Sequence, residues 1–143
     1  MGLHLESGAI IVSNAWCGKK IYRNNIWRFE MNERGRECEQ RVAEYLKEQG
    51  YEVRERNYRC REGEVDIIAC KDEILCFVEV KSLSQRWLPQ ELSRMVDGQK
   101  RRRIQLTAID YLNKVHSECR CVVMRFDVAS VTGAEVTYYE GVF

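Results

Sequence analysis

The segment EVDIIACKDEILCFVEVK, Glu64 to Lys81, is apolar from Ile67 to Cys70 and again from Ile74 to Val78. Both runs have strand length, and a tight turn near Asp72 joins them. Their near-continuous apolar character fits strands covered on both faces. Three charges interrupt the pattern: Asp66, Glu79 and Lys81. A buried ionised carboxylate is costly unless it is paired or bound to a metal. Side chains alternate along a strand, so Glu79 and Lys81 share a face and Val80 points to the other. If the two strands pair antiparallel through the turn, Asp66 lies near the strand end that carries Glu79. Two carboxylates and an ammonium then converge at one edge of a sheet.

Upstream, Glu33 to Gln49 has helical spacing, with Cys38, Val42, Tyr45 and Leu46 on one stripe and Gly50 as the stop. Glu39 sits beside that stripe and can face the sheet as a third carboxylate. YEVRER (Tyr51–Arg56) alternates as a strand, and NYRCREG reads as a basic loop. Downstream, a polar loop holding Pro89 leads to a helix from about Val96 to Val115. CVVMRFDVASV (Cys121–Val131) and EVTYY (Glu135–Tyr139) read as strands. The order is helix, three-strand meander, helix, strand and a further strand. It predicts an α/β fold with a mixed central sheet flanked by helices, in which the second helix is a crossover. The independent domain is expected over residues 31–143. Residues 1–30 are read as an N-terminal extension, either an accessory strand pair or an addition from an upstream start.

The chain has 143 residues, the size of one ordinary domain, and a hydrophobic fraction of 45%, enough for a core. Its formal net charge of +1 does not announce a polyanion binder, but its charges cluster. RERNYRCR (Arg54–Arg61) and KRRR (Lys100–Arg103) can attract a phosphate backbone on a nearly neutral protein. Arg56, Arg59, Lys100 and Arg103 are the candidate nucleic-acid contacts. The seven cysteines are odd in number, contain no C-x-x-C and fall partly in strand runs. This argues against a disulfide framework or a zinc site and for a reducing cytoplasm. No run approaches the roughly 20 apolar residues of a membrane span.

Two carboxylates and a backbone carbonyl such as that of Val80 are hard oxygen donors suited to Mg²⁺, with Mn²⁺ as a substitute. A metal there polarises a phosphodiester and lowers the pKa of bound water. Lys81 can orient that water, act as its base or offset transition-state charge. The plain alternative is a structural salt bridge from Lys81 to Glu79 or Asp66.

Taken together, RGRECEQRVAEYLKEQGYEVRERNYRCREGEVDIIA, LCFVEVKS, VDGQKRRRIQLTAIDYL and RFDVASV resemble the restriction-endonuclease-like nucleases, whose signature is Asp, a spacer, then Glu-x-Lys. The closer resemblance is to the YraN-like family of uncharacterised bacterial proteins, which are similar to archaeal Holliday junction resolvases. The resemblance implies an endonuclease-like fold with catalytic Glu39, Asp66, Glu79 and Lys81, and metal donors Asp66, Glu79 and Val80. It also implies a Lys100 near substrate phosphate. Cys38 stands where the family usually has glycine, and Leu88 where a glycine commonly follows the aromatic, here Trp87. The expected function is Mg²⁺-dependent hydrolysis of DNA, selective for branched or junction structures, in repair or recombination. The competing expectation is a nucleic-acid-binding module that keeps the fold without turnover. Cleavage of four-way junctions would call for a homodimer, since two symmetric cuts need two sites. Trp16, Trp27 and Trp87 are candidates for its interface.

Overall fold

The computed structural model describes residues 3–6, 9–12, 22–84, 88, 90, 91, 94, 96–115, 121 and 123–143, with side chains from Asn32 onward. Trp16, Trp87 and the Trp27 side chain lie outside the described residues. The elements are β1 (Leu3–Glu6), β2 (Ala9–Val12), α1 (Tyr22–Glu48), β3 (Glu52–Arg59), β4 (Glu64–Lys71), β5 (Ile74–Ser82), α2 (Gly98–Val115), β6 (Val123–Thr132) and β7 (Glu135–Tyr139). The chain divides into two compact units, Met1–Asn32 and Glu33–Phe143. In the first, β1 and β2 pair antiparallel from Leu3↔Val12 to Glu6↔Ala9.

The larger unit is built on a five-stranded sheet in the order β3-β4-β5-β6-β7. The β3–β4, β4–β5 and β6–β7 pairs are antiparallel. β5 and β6 are parallel, with α2 between them in the chain, as the crossover reading requires. One core cluster joins Val42, Ala43 and Leu46 of α1 to Ile67, Ala69, Cys76, Val78, Ala129 and Val131. A second joins Ile104, Ala108 and Tyr111 of α2 to Val65, Ile68, Leu75, Phe77 and Val128. Alternate residues of β5 thus feed two cores, and its unbroken apolar run follows from cover on both faces. Cys38, the departure from the family's glycine, is buried in the α1 core.

The helix boundaries have visible causes. Gly50 takes φ 85°. Its N–H bonds the Lys47 carbonyl at 3.0 Å, and the Tyr51 N–H bonds that of Leu46 at 2.9 Å. That pair of bonds is a Schellman cap, and Tyr51 joins Leu46 in the core as the cap's apolar contact. Asp97 caps α2: its Oδ1 accepts the Lys100 N–H at 2.8 Å. Val96, expected inside this helix, precedes it and is fully buried.

Two expectations need correction. α1 begins at Tyr22 rather than Glu33. No proline interrupts residues 22–33, and helix propensity carries a stretch that has no apolar periodicity to announce it. β3 extends to Arg59, so Asn57, Tyr58 and Arg59 belong to a strand and not to the loop. A bulge between Val53 and Glu55 and a left-handed Asn57 (φ 52°) break the alternation that would have marked it. Among the described residues, no helix is long and apolar enough to cross a membrane.

Candidate active site

The β4–β5 ladder runs from Lys71↔Ile74 to Ile67↔Val78 and stops, although β4 starts at Glu64 and β5 continues to Ser82. β5 stays paired to β6 as far as Ser82↔Val131, so β4 is the strand that parts from it. Asp66 fills the gap. Its Oδ2 accepts the Val80 N–H at 2.8 Å, replacing a ladder carbonyl with a carboxylate. The N–H and C=O of one strand residue face the same neighbour, so the Val80 carbonyl also faces this gap.

Glu79 is 5% exposed. Its Oε1 accepts from Lys81 Nζ at 3.0 Å and lies 3.4 Å from Lys100 Nζ. Its Oε2 is buried without a partner. Leaving such an oxygen unsatisfied costs about 1–3 kcal/mol or more. Burial and then the Glu79 charge push the Asp66 carboxyl up to about 7, against the pull of the Val80 N–H. Glu39 adds to the rise and Lys100 opposes it. The two strand carboxylates are therefore mutually repulsive, and two lysines compensate them only in part.

Glu39 reaches the site from α1, and its Oε2 accepts from Asn57 Nδ2 at 2.9 Å. Asn57 and Asp66 fall opposite each other between the Arg56↔Ile67 and Tyr58↔Val65 pairs without pairing themselves. The left-handed turn of the backbone at Asn57 opens β3 at this point. Sequence reasoning missed Asn57. The available signal was its residue type, since Asn tolerates positive φ better than other non-glycine residues.

A groove of about 310 Å³ lies beside these residues, lined by Arg59, Cys60, Gly63, Glu64, Lys100 and Arg103. Three of the four expected basic contacts are thus brought together. Arg56 does not line the groove; its Nη1 donates to Gln40 Oε1 at 2.6 Å. Arg59 is paired to Glu64 at 3.1 Å, and both are largely exposed, so the pair holds weakly. Gly63 lets the β3–β4 hairpin approach α2: a Cβ there would sit 3.2 Å from both Arg103 Cβ and Thr107 Oγ1.

The donor set suits a divalent cation. Among the described residues, no three His, Cys, Asp or Glu side chains cluster as metal ligands. Asp66, Glu79 and the Val80 carbonyl supply two carboxylates and one neutral oxygen. Mg²⁺ is commonly held by one or two carboxylates with waters filling its octahedron. A cation would also relieve the Asp66–Glu79 repulsion and satisfy Glu79 Oε2.

A five-stranded mixed sheet with a helix packed on each face is compatible with a restriction-endonuclease-like core. A sequence model described as Uncharacterised protein family UPF0102 matches residues 38–131, a span that includes Glu39, Asp66, Glu79, Lys81 and Lys100. The chain belongs to that family. It is 38% identical to a UPF0102 protein of Myxococcus xanthus, over 80% of this chain and 91% of the relative. It is 39% identical to one of Pseudothermotoga lettingae (75% and 95%) and 40% identical to one of Lachnoclostridium phytofermentans (73% and 87%).

Proposed function

We propose that this protein is a divalent-metal-dependent endonuclease acting on DNA. The observation that carries the reading is the buried, unpartnered Glu79 Oε2 beside an Asp66 that burial and repulsion push toward protonation. Asp66, Glu79 and the Val80 carbonyl would hold Mg²⁺ or Mn²⁺. When bound, such an ion supplies Lewis-acid polarisation of the phosphate and a more acidic water. Lys81, tethered to Glu79 Oε1, keeps an ammonium next to the reacting phosphate and offsets the charge that builds there. Arg59, Lys100 and Arg103 hold the neighbouring backbone phosphates in the groove. Glu39 adds acidic charge and is fixed in place by Asn57. In hydrolysis, water forms a bond to phosphorus, the bond to one sugar oxygen breaks, and that oxygen takes up a proton.

The test is cleavage of duplex, flap and four-way DNA with Mg²⁺ or Mn²⁺. Branched substrates come first because of the resemblance to junction resolvases. Wild type should cut at least one of them, and Asp66→Ala and Lys81→Ala should each lose about 10²-fold or more. Equal activity in both variants and wild type would sink the assignment. If a four-way junction is the substrate, the active species should be a two-fold dimer, which light scattering reads directly.

One observation favours a second reading. Lys81 and Lys100 already approach Glu79 Oε1, so part of its charge is balanced without a metal. A nucleic-acid-binding module with the nuclease fold and no turnover would keep that arrangement. Salt-dependent DNA binding with no cleavage of any substrate selects it.

A further inference from the structure

We infer that Cys70 and Cys121 form a redox site, a dithiol that a small-molecule disulfide converts to an intramolecular cross-link. Their Sγ atoms lie 2.7 Å apart although the residues are 51 positions apart in sequence. A disulfide bond measures about 2.05 Å. Closing the pair therefore asks for about 0.7 Å of movement, within the reach of a side-chain torsion. The sheet sets the approach. Cys70 is paired with Leu75, and Cys121 stands two residues before Val123, which pairs with Ile74. The Val123 N–H also bonds the Glu73 carbonyl at 3.3 Å. Both cysteines are half-buried and pack against the α2 side of the core.

The chemistry balances by exchange. The thiolate of one cysteine attacks a sulfur of oxidised glutathione, its S–S bond breaks, and one reduced glutathione leaves. The second cysteine, having given its proton to water, attacks the protein sulfur of the mixed disulfide and expels the second glutathione. The two protein thiols lose two hydrogens, and the small disulfide gains them as two thiols. Other described cysteines are poor competitors. Cys76 is fully buried, and burial followed by the Asp127 charge pushes its thiol up to about 12. Cys38 is buried, and Cys60 Sγ donates to Thr107 Oγ1 at 3.6 Å.

The cross-link would staple β4 to the entry of β6 across β5, at the opposite end of β5 from Glu79 and Lys81. It should therefore change stability and leave DNA binding and metal binding unchanged. The experiment treats the full chain with excess oxidised glutathione under native conditions, then blocks remaining thiols in denaturant. Peptide mapping should recover Cys70 linked to Cys121, and Tm should rise by about 5–10 °C. Dithiothreitol should reverse both changes. Cys70→Ser and Cys121→Ser should each fold and show neither. Full alkylation of both cysteines after oxidation would overturn the inference. So would either one linked to a different cysteine, or only a stable glutathione adduct.

Discussion

Asp66 and Asn57 carry the cost of the site. The Asp66 carboxyl is raised to about 7 from an ordinary value of 3.8, so between those pH values the folded chain binds more protons than the unfolded one. Stability contributed by the protonated form is therefore lost as pH rises through this window, and the full penalty stands above 7. Asp66→Asn keeps an acceptor for the Val80 N–H and removes the charge. In EDTA its Tm should exceed wild type at pH 8, by the equivalent of about 1–3 kcal/mol, and match it near pH 4. MgCl₂ should raise the wild-type Tm at pH 8 and leave that of the variant unmoved. Asn57 gives a different signature. Asn57→Ala places an alanine at φ 52° and should cost about 1–2 kcal/mol in denaturant melts. Asn57→Gly should recover most of that stability but not cleavage, because it too lacks the amide that holds Glu39. Asp66, Glu79 and Lys81 were legible because charges in an apolar strand pair violate a simple rule. Asn57 was not, because a single left-handed residue in a strand leaves no periodic trace.

Among the elements, the first turn of α2 links scaffold to site. Asp97 holds the Lys100 N–H, and the Lys100 side chain reaches Glu79. Asp97→Ala should cost about 1 kcal/mol, and it should also weaken DNA binding by loosening Lys100 and Arg103. Thermal melts and a salt titration of binding separate the two effects. The strands from β4 onward followed from short apolar runs bounded by turns, and the interior of both helices from 3.6-residue spacing. The start of α1 and the far end of β3 did not: polar helix turns and a bulged edge strand carry no burial pattern. β3 is an outer strand whose residues are mostly exposed and charged, including Arg54, Glu55 and Arg56, and such edges resist pairing with another chain.

Across the whole fold, the two acidic side chains buried among the described residues, Glu79 and Asp127, are held on opposite principles. Asp127 is buried like Glu79, yet it is satisfied: it accepts from Arg125 Nε at 2.9 Å, the Gly141 N–H at 2.8 Å and the Tyr138 hydroxyl. Arg125 in turn reaches Tyr51 and Glu140, at 2.9 and 3.1 Å. Asp127→Ala should therefore cost about 3–5 kcal/mol, several times more than Glu79→Gln, as urea melts would show. Sequence reasoning passed over Asp127: it is one charge within the strand run RFDVASV, with no partner visible nearby in the chain except Arg125. The partners of Asp127 come from its own strand β6 (Arg125), from β7 (Tyr138) and from the C-terminal residues (Gly141), and the last two are brought to it only when the sheet assembles. The β4–β5 turn has a kinetic consequence. Asp72 and Glu73, both at positive φ, make a two-residue connection, so Asp66 and Glu79 become neighbours as soon as this local hairpin forms. β6 joins β5 only after the long excursion through α2, a contact of high closure entropy. The carboxylates thus meet in water and are desolvated later, when the transition state buries most of the surface. In metal-free buffer the refolding arm of the chevron should slow between pH 6 and pH 8, and Mg²⁺ should restore it. If only the unfolding arm moves, the site closes after the barrier.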